Sequence, residues 1–202
     1  MGLNVAAGIV VAAAAWAWMF LPGRSGFWTR ATLAGALIAA YALARDWRGV
    51  RTLFALDGAE LAVGIVGGAV LYFVFWIGDR LLRWTMPVLS AEVGDLYRVR
   101  AATQPGNMPW VLMVIGPAEE VFWRGFVQHR AGFLVAVAGY ALVHLWERKL
   151  VLIAAAAVGG LFWGALFAWR GSLVAPIVSH VLWDLAIIVY FPVRKAKAGE
   201  SR

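Results

Sequence analysis

The sequence predicts an all-α protein, a polytopic bundle of transmembrane helices that forms a single domain over residues 1–202. Of its residues, 63% are hydrophobic and only 14% are charged, whereas about 25% are charged in a soluble domain. The apolar residues lie in stretches close to the length of about 20 residues with which a helix crosses a bilayer. About seven spans are predicted, within a range of six to eight, at residues 3–21, 28–44, 61–78, 108–128, 131–146, 150–169 and 172–192.

The segments between the predicted spans carry turn residues and most of the charge. The segment from Asp79 to Gly106 is too long for a turn. Its mixed apolar and polar pattern predicts a helix at the membrane interface or an extension of the third span. For the first span, a cleaved signal peptide is the alternative. We favour a span, because residues 1–4 contain no Lys or Arg and the apolar run is long for a signal peptide.

The net charge of +7 is spread over the connectors and the C-terminal tail, a distribution typical of a polytopic membrane protein rather than of a nucleic-acid-binding protein. Under seven spans, twelve Lys and Arg residues fall on one side of the membrane and five on the other. The positive-inside rule then places the C-terminus in the cytoplasm. The chain has no cysteine, which excludes disulfides and thiolate chemistry.

Two pairs of glycines have a spacing that lets helices approach each other closely. They are Gly64 with Gly68 and Gly160 with Gly164. We expect them to serve packing within the bundle rather than dimerisation, because the motif alone is weak evidence for a dimer.

Ionisable residues inside the predicted spans are the main evidence for function. A charged side chain near the bilayer centre costs roughly 2.5–3.5 kcal/mol on insertion scales, so it persists mainly where it faces a polar cavity and has a function there. The candidate site residues are Glu119, Glu120 and Arg124 in the fourth span, His144 at the end of the fifth, and His180 and Asp184 in the seventh.

The spacing of these residues predicts one polar site assembled from three helices. Glu120 and Arg124 are four residues apart and can pair on one helix face, whereas Glu119 points about 100° away from Glu120. A carboxylate beside an imidazole is suited to activating a water molecule. A second histidine can stabilise the oxyanion that forms when water attacks an amide carbonyl.

Two motifs in this region resemble those of a known family. The run Glu119-Glu120-x-x-x-Arg124 resembles the EExxxR motif of the CPBP intramembrane proteases, the group of CAAX proteases and bacteriocin-processing enzymes. The run Tyr140-x-x-x-His144 resembles the second motif of that family, usually FxxxH, with Tyr in place of Phe.

A third family motif, HxxxN or HxxxD, is similar to His180-x-x-x-Asp184. Because the three motifs occur in the family's order on apolar segments, the predicted catalytic core is 108–192. The resemblance implies a glutamate-type intramembrane endopeptidase that uses no cofactor and no metal.

The resemblance also implies a role for each candidate residue. One pair activates the attacking water, a second pair forms the oxyanion site, and a third pair orients the first. In that order the pairs are Glu119 with His144, His180 with Asp184, and Glu120 with Arg124. Since an ionised carboxylate cannot donate a hydrogen bond, Asp184 either is protonated or acts by orienting His180.

The implied partners are the lipid bilayer and a membrane-anchored protein or peptide substrate. Among the substrates that the resemblance permits, we favour a C-terminal sorting helix or a leader peptide over a prenylated CAAX tail, because CAAX prenylation is chiefly eukaryotic. The predicted location is the prokaryotic inner (cytoplasmic) membrane.

Several alternatives remain open at this point. Taken alone, Glu120 with Arg124 is also compatible with a structural ion pair, and each histidine with a structural or interfacial role. A zinc-dependent metalloprotease fits the types of side chain, although no HExxH motif occurs. A proton-coupled transporter fits as well, since chains of Asp, Glu and His form proton relays, but the sequence shows no internal repeat.

Overall fold

The protein folds into helices throughout the part of the chain that the computed structural model describes, residues 2–21 and 26–194, where there is no strand. The eight main helices are α1 (Leu3–Met19), α2 (Phe27–Thr52), α3 (Gly58–Thr85), α4 (Pro87–Thr103), α5 (Met108–Glu120), α6 (Phe133–Val143), α7 (Leu150–Arg170) and α8 (Val174–Asp184). The all-α prediction is therefore confirmed. Of the basic residues counted for topology, Arg24, Lys195, Lys197 and Arg202 lie outside the described residues.

Three helices continue beyond their α-helical part in another helical form. After α5 come a π-helical segment (Val121–Gln128) and one last α-helical turn (His129–Ala131). After α6 comes a 3₁₀ turn (His144–Glu147), and after α8 a second π-helical segment (Leu185–Tyr190). Wide π-helical turns are rare and are frequently found at functional sites.

Each of the seven predicted spans coincides with a helix. Within the described residues, three helices are long and apolar enough to cross a membrane by length and composition: α2, α3 and α7. Shorter apolar helices cover the remaining predicted spans at Leu3–Met19, Phe133–Glu147 and Val174–Tyr190, together with α5 and its continuation. The exact number of spans stays a prediction.

The long segment after the third predicted span contains an extension of that span, as one of the two alternatives predicted, and a separate helix. Helix α3 extends to Thr85, and a separate helix, α4, begins at Pro87. The two helices meet at Met86, whose backbone is not helical (φ −138°, ψ 74°). Pro87 suits the first turn of α4, because proline lacks the N–H that would have no helical partner there. None of the residues of α4 is buried.

The two glycine pairs lie where helices make close contact inside the bundle. On α3, a Cβ added to Gly64 would lie 2.6 Å from the Cβ of Val178 on α8. On α7, a Cβ added to Gly164 would lie 2.8 Å from the ring of Phe133 on α6. Because any side chain would push these helices apart, the expectation that the glycines serve packing within the bundle is confirmed.

The centre of the bundle is the π-helical continuation of α5. All eight of its residues, Val121–Gln128, are buried. The first helix packs against this core, with Val5 and Trp16 each only 2% exposed. Helix α2 is kinked at Asp46, whose carboxylate accepts a hydrogen bond from Arg130 Nε at 2.7 Å. This contact joins the C-terminal part of α2 to the α-helical turn His129–Ala131 that follows the π-helical segment.

Candidate active site

The six candidate residues lie together but in two different environments. Four of them line a cavity of about 1140 Å³: Glu119, His144, His180 and Asp184. The other two, Glu120 and Arg124, lie behind the cavity wall and are 0% and 1% exposed. The predicted convergence of three helices on one polar site is thus what the structure contains.

The buried ion pair holds the second histidine. Arg124 Nη1 lies 3.2 Å from Glu120 Oε1, and the same oxygen is 2.8 Å from His180 Nδ1. Arg124 Nη2 donates to the carbonyl oxygen of Gly160 at 3.2 Å. Because an ionised carboxylate only accepts hydrogen bonds, His180 Nδ1 is the donor in its contact with Glu120. The family resemblance implied that Glu120 and Arg124 orient Glu119 and His144, whereas the direct contact of Glu120 is with His180.

Arg124 approaches the first pair only through an aromatic ring. Its guanidinium carbon lies 4.9 Å from the centroid of the Tyr140 ring and 5.7 Å from that of Trp163. A guanidinium over an aromatic face is attracted by the ring quadrupole, most strongly where water is excluded. Arg124 therefore supports the cavity wall at Tyr140 and Trp163 from behind.

Glu119 and His144 are both bonded to Tyr140. The Tyr140 hydroxyl donates to Glu119 Oε2 at 2.8 Å. His144 Nδ1 lies 2.7 Å from the backbone carbonyl oxygen of Tyr140. Since a carbonyl oxygen can only accept, Nδ1 carries the proton, and Nε2 of a neutral ring keeps its lone pair.

His180 is held on one face by an indole ring. The ring centroids of Trp163 and His180 are 3.6 Å apart with an interplanar angle of 16°. Trp163 Nε1 donates to Ser179 Oγ at 3.2 Å, and Ser179 is fully buried. On the other nitrogen, His180 Nε2 lies 3.7 Å from Asp184 Oδ2. That separation is too long for a hydrogen bond but close enough for a charge interaction.

The remaining walls of the cavity are mostly apolar. Helix α7 contributes aliphatic side chains such as Val151, Leu152 and Val158. Helix α4 covers one side of the cavity with Leu96 and Val99 among others, and we call this side the α4 wall. Among the described residues, no group of three or more His, Asp or Glu side chains is arranged to hold a metal ion.

The α4 wall is fastened by polar contacts at its edges. Glu92 Oε2 accepts from the backbone N–H of Val151 at 2.9 Å, and Lys149 Nζ donates to Asp95 Oδ2 at 2.9 Å. Near the end of α4, Thr103 Oγ1 accepts from the indole N–H of a tryptophan on α2 at 3.2 Å. The wall is therefore joined to α2 and to the beginning of α7.

Sequence reasoning identified the charged groups but missed two of their partners. Tyr140 was recognised only as a substitute for Phe in a motif, although a hydroxyl within an apolar span is a signal that a polar partner is near. No feature of the sequence distinguishes Trp163 from the other tryptophans, because its contact with His180 depends on how α7 packs against α8.

With the fold and the geometry of this site described, a comparison with known proteins finds one family model, which matches part of the chain. Residues 102–186 match the family model described as "Type II CAAX prenyl endopeptidase Rce1-like". The match confirms the resemblance to the CPBP family that the three motifs indicated, and all six candidate residues lie within it. It covers less than half of the chain and leaves α1, α2 and α3 outside. No curated protein and no solved structure gave a significant match.

Proposed function

We propose that this protein is an intramembrane endopeptidase that hydrolyses a peptide bond of a membrane-anchored substrate with a water molecule activated by Glu119 and His144. The observation that carries the proposal is the convergence of Glu119, His144, His180 and Asp184 on one cavity within an apolar bundle. Such groups are costly to retain in an apolar environment unless they have a function there.

The attacking water is held between the first pair. Glu119 Oε1 and His144 Nε2 have no hydrogen-bond partner among the described residues, whereas Glu119 Oε2 and His144 Nδ1 are both occupied. Each free atom accepts a hydrogen bond from one O–H of the water, which orients an oxygen lone pair toward the carbon of the substrate carbonyl. One of the two acceptors takes the proton as the C–O bond forms and returns it to the leaving nitrogen as the C–N bond breaks.

The second pair stabilises the oxyanion. With Nδ1 of His180 donating to Glu120, protonation of the ring places a second N–H at Nε2, on the side where Asp184 lies. That N–H is a charge-assisted donor for the oxygen of the tetrahedral intermediate. Asp184 either stabilises and orients the imidazolium as a carboxylate or, when protonated, donates a further hydrogen bond to the oxyanion.

The substrate class follows from the cavity walls and remains part of the proposal. The aliphatic side chains of α7 and α4 suit an apolar segment, such as a C-terminal sorting helix or a membrane-associated leader peptide. We propose that the protein lies in a prokaryotic inner membrane, and the distribution of positive charge supports a cytoplasmic C-terminus.

The decisive experiment replaces Glu119 by Gln and His144 by Ala. In cells that express either variant, membrane peptides that the wild-type protein cleaves should accumulate uncut, and quantitative peptidomics identifies them. A synthetic peptide chosen from that set, in liposomes, should be cleaved about 10²–10⁴-fold more slowly. The double variant should lose little more activity than the worse single variant, since the two groups act as a unit.

The matched control is Glu92→Gln, the same chemical change outside the cavity. The amide oxygen of Gln can still accept from Val151, so cleavage should stay at the wild-type rate. Vigorous cleavage by Glu119→Gln would overturn the proposal.

Two other functions are separated by independent measurements. If zinc supplies the hydroxide, activity should vanish when the metal is stripped and return with stoichiometric zinc, whereas the proposed mechanism predicts that activity survives stripping. If the protein is a proton-coupled transporter, proteoliposomes should show a proton flux that Glu119→Gln abolishes while peptides remain uncut by the wild-type protein.

A further inference from the structure

Tyr140 is bonded to both members of the water-activating pair, through two different parts of the same residue. Its hydroxyl donates to Glu119 Oε2 at 2.8 Å, and its backbone carbonyl accepts from His144 Nδ1 at 2.7 Å. The side chain is 5% exposed and lines the cavity. One residue thus spans the distance between a carboxylate on α5 and an imidazole at the end of α6.

The other tyrosine hydroxyl bonds in the described residues are of a different kind. The hydroxyls of Tyr41, Tyr72 and Tyr97 donate to backbone carbonyl oxygens, at 2.7, 3.0 and 3.0 Å respectively. Such bonds join helices and have no consequence for an ionisable group. Among the described residues, Tyr140 is the tyrosine whose hydroxyl bonds to a carboxylate, and that carboxylate is Glu119.

The ring of Tyr140 is fixed from several directions. The rings of Trp123 and His144 approach it edge-on, with centroids 5.8 and 5.1 Å away. The backbone of α7 lies close beneath it at Gly160, where an added Cβ would be 3.3 Å from the ring. The Arg124 guanidinium lies 4.9 Å from its centroid. The hydroxyl therefore has one position available, and it points at Glu119.

We propose that Tyr140 is a positioning residue that sets the geometry of both groups that activate water. Its hydroxyl occupies Oε2 of Glu119 and leaves Oε1 for the water. Its carbonyl fixes the His144 tautomer in which Nε2 accepts. The inference rests on the proposed function and adds to it a residue that does not touch the reacting atoms. A phenylalanine in this place retains the carbonyl contact but loses the hold on Glu119.

The test compares Tyr140→Phe with Tyr41→Phe, which removes a tyrosine hydroxyl that lies outside the cavity and bonds to a backbone carbonyl oxygen. With a peptide shown to be cleaved by the wild-type protein, Tyr140→Phe should lower kcat about 10- to 100-fold and leave KM within about twofold, because orientation is lost and binding is not. The acid limb of its kcat/KM profile should move to higher pH, since the ionised carboxylate loses a hydrogen-bond donor. Tyr41→Phe should leave kcat and the pH profile unchanged.

A second variant keeps the test independent of any loss of folding. 3-Fluorotyrosine incorporated at position 140 keeps the ring and the hydroxyl but makes the hydroxyl a stronger donor. The acid limb of the kcat/KM profile of this variant should move to lower pH, in the direction opposite to that of Tyr140→Phe.

The outcomes distinguish this inference from the function on which it rests. If cleavage depends on Glu119 but neither change at position 140 alters kcat or the pH profile, the positioning role is wrong and the protease function stands. If the wild-type protein shows no cleavage that depends on Glu119, both are wrong. A fall in kcat with an unshifted acid limb would indicate a purely structural role and would also overturn the inference.

Discussion

The π-helical continuation of α5 and the helix α4 both belong to the surroundings of the cavity, yet they are held in opposite ways. Every residue of Val121–Gln128 is buried, and the segment carries Arg124 of the ion pair. None of the residues of α4 is buried, although several of them line the cavity. The π-helical segment that carries Arg124 is thus fixed by packing. Helix α4, which covers the cavity, is fixed mainly by polar contacts at its edges.

This difference has energetic consequences. Surface ion pairs such as the partly exposed one between Asp95 and Lys149 contribute about 0–1 kcal/mol each. Removing one partner of a buried pair leaves an uncompensated charge and costs several times more. We therefore expect the α4 wall to open at a lower free energy than the buried segment Val121–Gln128, which should open only together with the bundle.

The largest effect is expected from breaking the buried pair. Arg124→Ala removes the guanidinium partner of Glu120 at 0% exposure and leaves His180 Nδ1 as its remaining partner, which should cost on the order of 3–5 kcal/mol of folding free energy together with activity. The melting temperature in detergent measures the first and peptide cleavage the second. Glu119→Gln is the control: it should lose activity and keep the wild-type melting temperature. A normal melting temperature for Arg124→Ala would mean that the guanidinium reaches water.

The close packing of the bundle can be tested by replacing either of two glycines on α3 with alanine, which adds one methyl group. Gly64→Ala puts a Cβ 2.6 Å from that of Val178, so α3 and α8 must separate, at a cost of about 1–3 kcal/mol. At Gly78 an added Cβ meets nothing within 4 Å, and Gly78→Ala should stabilise by up to about 1 kcal/mol through helix propensity. Equal melting temperatures for the two variants would contradict the tight α3–α8 contact.

Hydrogen exchange measures directly how firmly α4 and the π-helical segment Val121–Gln128 are held. Backbone amides of α4 should exchange faster than those of Val121–Gln128, because local opening of α4 exposes little apolar surface that was buried. Mass spectrometry of peptides from the two segments, in lipid nanodiscs, gives both rates in one sample. Equal protection would show that α4 is as firmly held as the core.

The smallest effect concerns pH at the edge of the α4 wall. Hydrogen bonds from Lys149 and Arg98 hold the pKa of the exposed Asp95 carboxyl below its usual value. Its contribution is therefore present above the unfolded-state pKa and is lost as the pH falls through the folded-state pKa. After correction for the intrinsic pH dependence of amide exchange, acidification should slightly lower the protection factors of the α4 amides, and Asp95→Asn should remove that change. An unchanged acid response in Asp95→Asn would assign it to another group.

The helices and the candidate site residues were predictable from sequence because their signals are local. Apolar stretches define the helices, and a charge such as Arg124 within them is conspicuous. The pairing of Glu120 with Arg124 also followed, since both lie on one helix. The contact of Glu120 with His180 did not, because it joins residues 60 apart in the chain through the packing of α5 against α8.

The covering helix was predicted only in part, for a related reason. The pattern between Asp79 and Gly106 indicated a helix, and α4 is that helix. Its position over the cavity is set by contacts with α2 and with the beginning of α7, such as Lys149 with Asp95. Helix α4 has no buried residue and its sequence has no distinct apolar face, so the sequence alone does not show which side of the helix covers the cavity.

The hydrogen bond between His180 and Glu120 also bears on the biosynthesis of the protein. A nascent chain delivers α5 to the membrane before α8, so Glu120 is inserted with Arg124 as its only charged partner. The proposed active site lacks its oxyanion donor until His180 arrives. If the proposed mechanism holds, hydrolytic competence depends on the insertion of α8, and an incompletely inserted chain would not cleave its neighbours in the membrane.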